Sequence, residues 1–211
     1  MRYLPTLLLV LLGVGCSRGN DTMTRFHEDG RAKPVVAIAP MIDTTTQDAS
    51  WSLSEEITSM IVQRMGQGGK LFVVSNEDDS FTDNPFGPEL GWVKREFHDQ
   101  EFVVFLELVE HEAVAANKLK KNLPPQEVST NLNMAVRIRV LDLRSATPKV
   151  VLQEMIRDTY FIPKTLIPTD YTSVVWGSDT FLTSPMGIAH TQLVQEIVSR
   201  VSDYILLAKS Q

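Results

Sequence analysis

The sequence has 211 residues, of which 43% are hydrophobic and 22% are charged, and its formal net charge is −6. This length and composition are typical of a globular protein that forms one domain of ordinary size. The acidic balance argues against nucleic-acid binding, because that affinity depends on neutralising phosphates with basic side chains. It also means that anionic lipid headgroups would weakly repel the body of the protein.

The first fifteen residues have the organisation of an export signal. Arg2 gives a charged start, residues 4–14 form an apolar run, and Gly15 precedes a cysteine. The run is about 11 residues long, whereas a membrane-spanning helix needs roughly 20. Residues 1–15 are therefore predicted to be a signal peptide that is removed on export.

Cys16 is the only cysteine in the sequence. Residues 11–16 resemble a lipobox, in which a small residue precedes an obligatory cysteine that receives lipid. The sequence departs from the pattern at Gly13, where the family usually has leucine. The alternative is an ordinary secretory signal followed by a stray cysteine. Lipidation of Cys16 explains an unpaired cysteine in an exported protein and supplies a membrane anchor.

Residues 16–34 are predicted to form the lipid anchor and a flexible tether, because they are polar and lack periodicity. The residue after Cys16 is Ser17 rather than aspartate. By resemblance to the lipoprotein sorting rule of enteric bacteria, this serine favours the outer membrane. Residues 35–208 are predicted to form a single globular domain.

The amino-terminal part of that domain shows a strand–helix–strand pattern. Residues 35–39 and 71–74 are short apolar runs that predict buried strands. Between them, apolar residues recur at helical spacing from Leu53 to Met65, and Ser52 with Glu55 resembles a capping box. The pattern predicts a right-handed βαβ unit.

The remaining elements favour an α+β fold with a mixed sheet of about five strands. Residues 89–100 are predicted to include a short helix and residues 102–109 a central strand. Alternation at residues 131–140 and continuation at 149–162 predict a long antiparallel hairpin, with a bulge or strand end near Leu141. Residues 163–185 are predicted to be a loop, and residues 188–207 a carboxy-terminal amphipathic helix.

Several of these segments resemble a known superfamily of α/β envelope lipoproteins. It includes the curli secretion protein, the peptidoglycan-synthase activator lipoproteins and the amino-terminal domain of the Tol-system propeller protein. The resemblance lies in strand and helix patterns, at residues 35–41, 53–58, 71–74, 140–144 and 149–151. It implies a mixed α/β fold and a place in the cell envelope, but it carries no catalytic residues.

The sequence carries no recognisable motif of a catalytic or nucleotide-binding site, and no enzymatic activity, cofactor or metal is predicted. His111 lies between Glu110 and Glu112, but in a regular strand those carboxylates would face away from the histidine. A surface strand end is therefore favoured over a metal site. Regular alternation would instead place Glu107 on the same face as His111.

Three aromatic residues near an acidic, turn-rich segment form a candidate partner surface: Phe81, Phe86 and Trp92. The alternative is a satellite hydrophobic cluster.

Two classes of function follow from these observations. The first is a membrane-anchored, periplasmic or envelope module that binds or assembles another protein. The second is a subunit of an oligomeric outer-membrane export channel, as the curli resemblance would imply. Charged residues on the hairpin favour the binding module, since a basic side chain facing lipid at mid-depth costs about 2–4 kcal/mol. The sequence leaves the oligomeric state open.

Overall fold

The computed structural model describes residues 24–45, 51–75, 83–116, 129–163 and 177–211. Cys16, Phe81 and the predicted signal peptide, residues 1–15, lie outside these residues. The elements in chain order are β1 (Val35–Ile38), β2 (Ile42–Asp43), α1 (Leu53–Gln67), β3 (Phe72–Ser75), α2 (Val93–Glu96), β4 (Phe102–Ala115), β5 (Thr130–Asp142), β6 (Lys149–Ile162), α3 (Asp179–Leu182) and α4 (Pro185–Lys209).

These strands form one mixed sheet in the order β3-β1-β4-β5-β6, with β2 paired to β4. β1 lies parallel to β3 and to β4, whereas β4, β5 and β6 are antiparallel neighbours. The predicted α+β class, mixed sheet, long hairpin and carboxy-terminal helix are confirmed. Helix α1 connects two parallel neighbours, as the strand–helix–strand pattern predicts.

Helices α1 and α4 cover one face of the sheet. Their apolar stripes, which include Ile57 and Ile197, pack on inward-facing residues of every long strand, such as Val104 and Ile138. Ser52 caps α1, because its side chain accepts a hydrogen bond from the backbone N–H of Glu55. This is the cap that the Ser52–Glu55 spacing predicts. The main hydrophobic core therefore lies between the helices and the sheet.

Among the described residues, a second cluster covers part of the opposite face, near β1 and the start of β4. There the segment around α2 places Trp92, Val93 and Phe97 on Phe105 and Leu141. A register shift falls between Val140 and Leu141, and β5 ends at Asp142, where a bulge or strand end is predicted. Leu141 is buried because this second cluster covers its face of the sheet. The hydrophobic alternation along β5 therefore changes at Leu141 for two reasons, the register shift and the cover by this cluster.

One local expectation needs correction, because the predicted loop 163–185 contains α3, whose Phe181 is only 1% exposed. The short helix predicted within residues 89–100 is present as α2, which is four residues long. Within the predicted tether, Phe26 and Ala32 form a bridge around a turn with positive φ at Gly30. No helix within the described ranges is both long and apolar enough to span a membrane.

Candidate functional site

Three buried titratable side chains form a hydrogen-bonded chain inside the main core. Nδ1 of His190 lies 2.8 Å from Oε2 of Glu56. Nε2 of His190 lies 3.0 Å from Nε2 of His111. The exposed fractions are 2% for Glu56, 0% for His190 and 6% for His111, so water has little access to any of them. We call these residues the Glu–His–His relay.

Each member of the relay comes from a different element. Glu56 lies on α1 beside Ile57, on the face that packs against the sheet. His190 lies on α4, three and four residues before Leu193 and Val194, so it shares their buried face. Both residues are titratable side chains at helix positions whose neighbours on the same face are apolar. Because buried polar groups need partners, the two side chains bond to each other across the contact between α1 and α4.

A β-bulge brings His111 to the relay. The register between β4 and β5 shifts between Leu108 and Glu110, and His111 then lies opposite core-facing Met134. The extra residue reverses which side chains face the helices. The two expectations for this residue are therefore wrong. His111 is buried rather than at a surface strand end, and Glu107 lies on the other face, where it pairs with Arg137.

Burial governs the protonation of His111. Desolvation, and then the nearby charge of His190, lower the pKa of the His111 imidazole from 6.5 to about 3. His111 is therefore neutral at physiological pH. Nδ1 of His190 faces the Glu56 carboxylate, and the two Nε2 atoms share one hydrogen bond whose direction depends on the tautomers of the two rings. Within the described residues, the second carboxylate oxygen of Glu56 is buried and has no hydrogen-bond partner.

Aromatic rings close the relay on one side. The Phe181 ring packs edge-on against His190 at 5.5 Å between centroids, and against Trp51 at 5.4 Å. Gly187 permits the close approach of α3 and α4, because a Cβ there would overlap the carbonyl oxygen of Phe181. The relay therefore lies in a tightly packed, apolar pocket.

The relay shares one feature with a catalytic triad, a carboxylate that orients an imidazole. Here, however, the second imidazole nitrogen of His190 faces another histidine instead of a hydroxyl or thiol. Within the described ranges, no group of three or more metal-ligating side chains is placed to hold an ion. The relay is a buried, hydrogen-bonded group of titratable side chains at the junction of three elements.

The structure describes two of the three residues of the predicted partner surface, and it places them in one cluster. Trp92 is only 4% exposed; it packs 5.8 Å from the Phe105 ring, and its indole N–H donates to the carbonyl of Glu89. Phe86 is half-buried against the same cluster, and Phe81 lies outside the described residues. The positions of Trp92 and Phe86 favour the alternative interpretation, a satellite hydrophobic cluster.

Two arginines explain why Phe86 lies on the sheet. The Arg137 guanidinium lies over the Phe86 ring at 4.4 Å, and that of Arg139 lies at 5.7 Å. Arg139 also donates to the carbonyls of Pro85 and Gly87 at 2.9 and 2.7 Å. Desolvation lowers the pKa of Arg139, and the neighbouring Arg137 adds to the effect. These contacts fasten the loop before α2 to the hairpin.

Three of the exposed apolar side chains lie on β6. Val150, Met155 and Phe161 are 45%, 47% and 62% exposed. Met155 and Phe161 lie opposite Arg137 and Asn131 in register, on the face that α4 does not cover. Within the described part of the chain, β6 ends the sheet, with β5 as its strand neighbour. We call Met155, Phe161 and the outer edge of β6 the β6 surface.

The fold defines a class of α+β protein in which two helices cover one face of a mixed sheet. Within that class, the chain belongs to a family of unknown function, DUF7499, whose model matches residues 22–209. No curated protein matches the chain.

Solved structures resemble the chain to different degrees. The hypothetical protein CT253 from Chlamydia trachomatis is 26% identical with a TM-score of 0.67, covering 82% of this chain and 98% of its own. Protein XCC0632 from Xanthomonas campestris, of family DUF330, is 8% identical with a TM-score of 0.53, covering 91% and 94%. Lipoprotein GNA1162 from Neisseria meningitidis is 10% identical with a TM-score of 0.41, covering 79% and 99%.

Sequence reasoning did not identify the relay. Glu56 and His190 are 134 positions apart, and nothing in a single sequence joins them. A signal existed in each helix, where a titratable residue occupies a position of the apolar stripe. For His111 no such signal exists, because residues 102–106 are all apolar and show no alternation that the bulge could interrupt.

Proposed function

We propose that this protein is a lipid-anchored module of the cell envelope that binds or assembles another protein. The observation that carries this proposal is the β6 surface. A fourteen-residue strand lies at the edge of the sheet that the described residues form, and it exposes Met155 and Phe161. Such an edge offers main-chain hydrogen bonds and side-chain contacts to an added strand.

The anchor in this proposal is a lipid on Cys16, with the outer membrane as its location. The signal-like residues 1–15 and the single cysteine support lipidation. The acidic body supports it as well, since without lipid it has no electrostatic attraction to an anionic bilayer. The proposed partner is an envelope protein, bound within reach of the membrane surface.

We propose no enzymatic activity. The three titratable members of the relay are all buried. A substrate could reach them only if α3 or α4 moved. The β6 surface, by contrast, is accessible without any rearrangement.

Site-specific photo-cross-linking in cells tests the proposal. A photoreactive amino acid is placed at Met155 or at Phe161, and in a third variant at Phe26. Phe26 is 57% exposed, so it is a matched aromatic control away from the hairpin. We expect positions 155 and 161 to capture the same envelope protein and position 26 to capture none. Equal capture from all three positions, or none from the hairpin, would contradict docking through β6.

The alternative candidate is a subunit of an oligomeric export channel. The observation in its favour is the length of β5 and β6, 13 and 14 residues, which exceeds the 9–11 that a membrane-crossing strand needs. Against it, α4 covers one face of the hairpin and buries Leu152 and Ile156. Cross-linked ladders of this chain alone, obtained from positions 155 and 161, would favour the channel.

A further inference from the structure

We propose that the Glu–His–His relay is an acid-sensitive latch that holds α3 and the first turns of α4 against α1 and β4. This inference goes beyond the proposed function and does not depend on it. It concerns a conformational equilibrium of the domain, whatever partner the domain binds and whether or not Cys16 carries lipid.

The relay bonds three elements that are distant in sequence. Glu56 on α1 contacts Nδ1 of His190. His111 on β4 contacts Nε2 of the same ring. His190 in turn packs on Phe181 of α3. Because Gly187 brings α3 and α4 into close contact, these two helices are expected to move together. The relay is therefore placed to control how this helical unit docks on the rest of the domain.

The geometry tolerates only one charge state of the two imidazoles. The hydrogen bond of 3.0 Å between the two Nε2 atoms needs one nitrogen with a proton and one without. If both imidazoles were fully protonated, two N–H groups and two positive charges would face each other at that distance. In a buried site with low dielectric, the repulsion is strong, and separation of the two side chains relieves it.

The charged groups that the described residues place near the relay do not remove this constraint. On the helix-covered side of the sheet, α1 contributes the Glu56 carboxylate, which contacts His190. Met134 of β5, opposite His111, and Phe181 of α3 are not titratable. On β6, the exposed Asp158 is in register with Met134, so it lies two strands from His111 and is screened by solvent. The Glu56 carboxylate can balance an imidazolium, but it does not relieve the contact of two protonated Nε2 atoms at 3.0 Å.

Opening of the latch would change the surface of the protein. Phe181 is 1% exposed and Met186 is 8% exposed while the helical unit is docked. Movement of α3 and the start of α4 would uncover both side chains together with Trp51, which packs on Phe181. Acidification is therefore expected to uncover an apolar patch at this end of the domain.

Hydrogen–deuterium exchange of the full chain in detergent, followed by mass spectrometry at pH 7.5 and pH 5.0, tests the latch. Rates are corrected for the intrinsic effect of pH. Since opening lets His111 regain its ordinary pKa, we expect exchange in α3 and the first turns of α4 to rise about 30-fold at pH 5.0. The second half of α4 and the strands β4 and β5 are internal controls that should change much less.

Two variants separate the latch from a general effect of acid. His111→Gln keeps a hydrogen-bond donor but cannot titrate, so the pH-dependent rise in exchange should disappear. His98→Gln changes a side chain that is 71% exposed and should behave as the original protein does. A rise that persists in His111→Gln, or that is uniform over all segments, would overturn the proposal. If His111→Gln does not fold, imidazole ¹⁵N spectra of the unaltered protein decide it: joint protonation of His111 and His190 without helix opening would contradict the latch.

Discussion

At the scale of single residues, the relay shows how buried charge is accommodated in this protein. Glu56 and His190 would each be costly to bury alone, but the hydrogen bond between them offsets part of the desolvation of both side chains. His111 completes the chain as a neutral imidazole. Stability should therefore depend on pH through His111.

The direction of that dependence follows from the lowered pKa. The folded pKa of His111 is about 3, below the ordinary value of 6.5, so the unfolded chain binds the proton more tightly. The contribution of His111 is fully present above pH 6.5. It decreases as the pH falls from 6.5 towards 3, by at most about 1.4 kcal/mol per pH unit.

Urea unfolding at a series of pH values measures this effect. The free energy of unfolding of the unaltered protein should fall more steeply below pH 6.5 than that of His111→Gln. His98→Gln should retain the steep dependence, because that histidine is exposed. Equal slopes for the unaltered protein and His111→Gln would show that His111 is not the responsible group.

A second residue-scale prediction concerns Gly187. Its missing Cβ admits the Phe181 carbonyl oxygen, and a methyl group would also lie 2.9 Å from Cα of Leu182. Gly187→Ala should therefore destabilise the protein by about 1–3 kcal/mol, as overpacking of a core does. Thermal unfolding measures the loss. Gly91→Ala is the matched control, since nothing lies within 4 Å of the added methyl group, and it should change stability by no more than about 1 kcal/mol. Equal effects of the two substitutions would contradict the close approach of α3 and α4.

At the scale of elements, the sequence carries most of the information about the long helices and strands. The stripes of α1 and α4 and the alternation of β5 follow directly from burial of one face. The short elements do not, because α2 and α3 span four residues each and are held by tertiary contacts of Trp92 and Phe181. The bulge in β4 likewise depends on tertiary contacts. Its one-residue shift places His111 on the face opposite to the predicted one.

The amino-terminal cap of α1 gives an element-scale prediction. Ser52 accepts from the backbone N–H of Glu55, so Ser52→Ala should lower the free energy of unfolding by about 1 kcal/mol. Ser59→Ala, at an exposed interior position of the same helix, should be neutral or slightly stabilising. Chemical denaturation compares the two variants. A loss of the same size in both would show that the cap contributes nothing particular to α1.

At the scale of the whole molecule, one face of the sheet is covered by helices, and part of the other face stays open beside the edge strand β6. We infer that this arrangement suits a module that docks on a partner through its sheet while a lipid holds it at the membrane. The sequence could predict the helix-covered face. It could not predict the β6 surface, because exposure of Met155 and Phe161 depends on which neighbours the fold provides.

The measurement that tests the account most directly is fractionation of cells that produce the original protein or Cys16→Ala. We predict that the original protein sediments with membranes and that detergent releases it, because we propose that a lipid on Cys16 attaches it. Cys16→Ala should appear in the soluble fraction after osmotic release of the periplasm, whereas the neighbouring Ser17→Ala should still sediment. Sedimentation of Cys16→Ala with membranes would contradict the lipid anchor and, with it, the proposed placement of the domain.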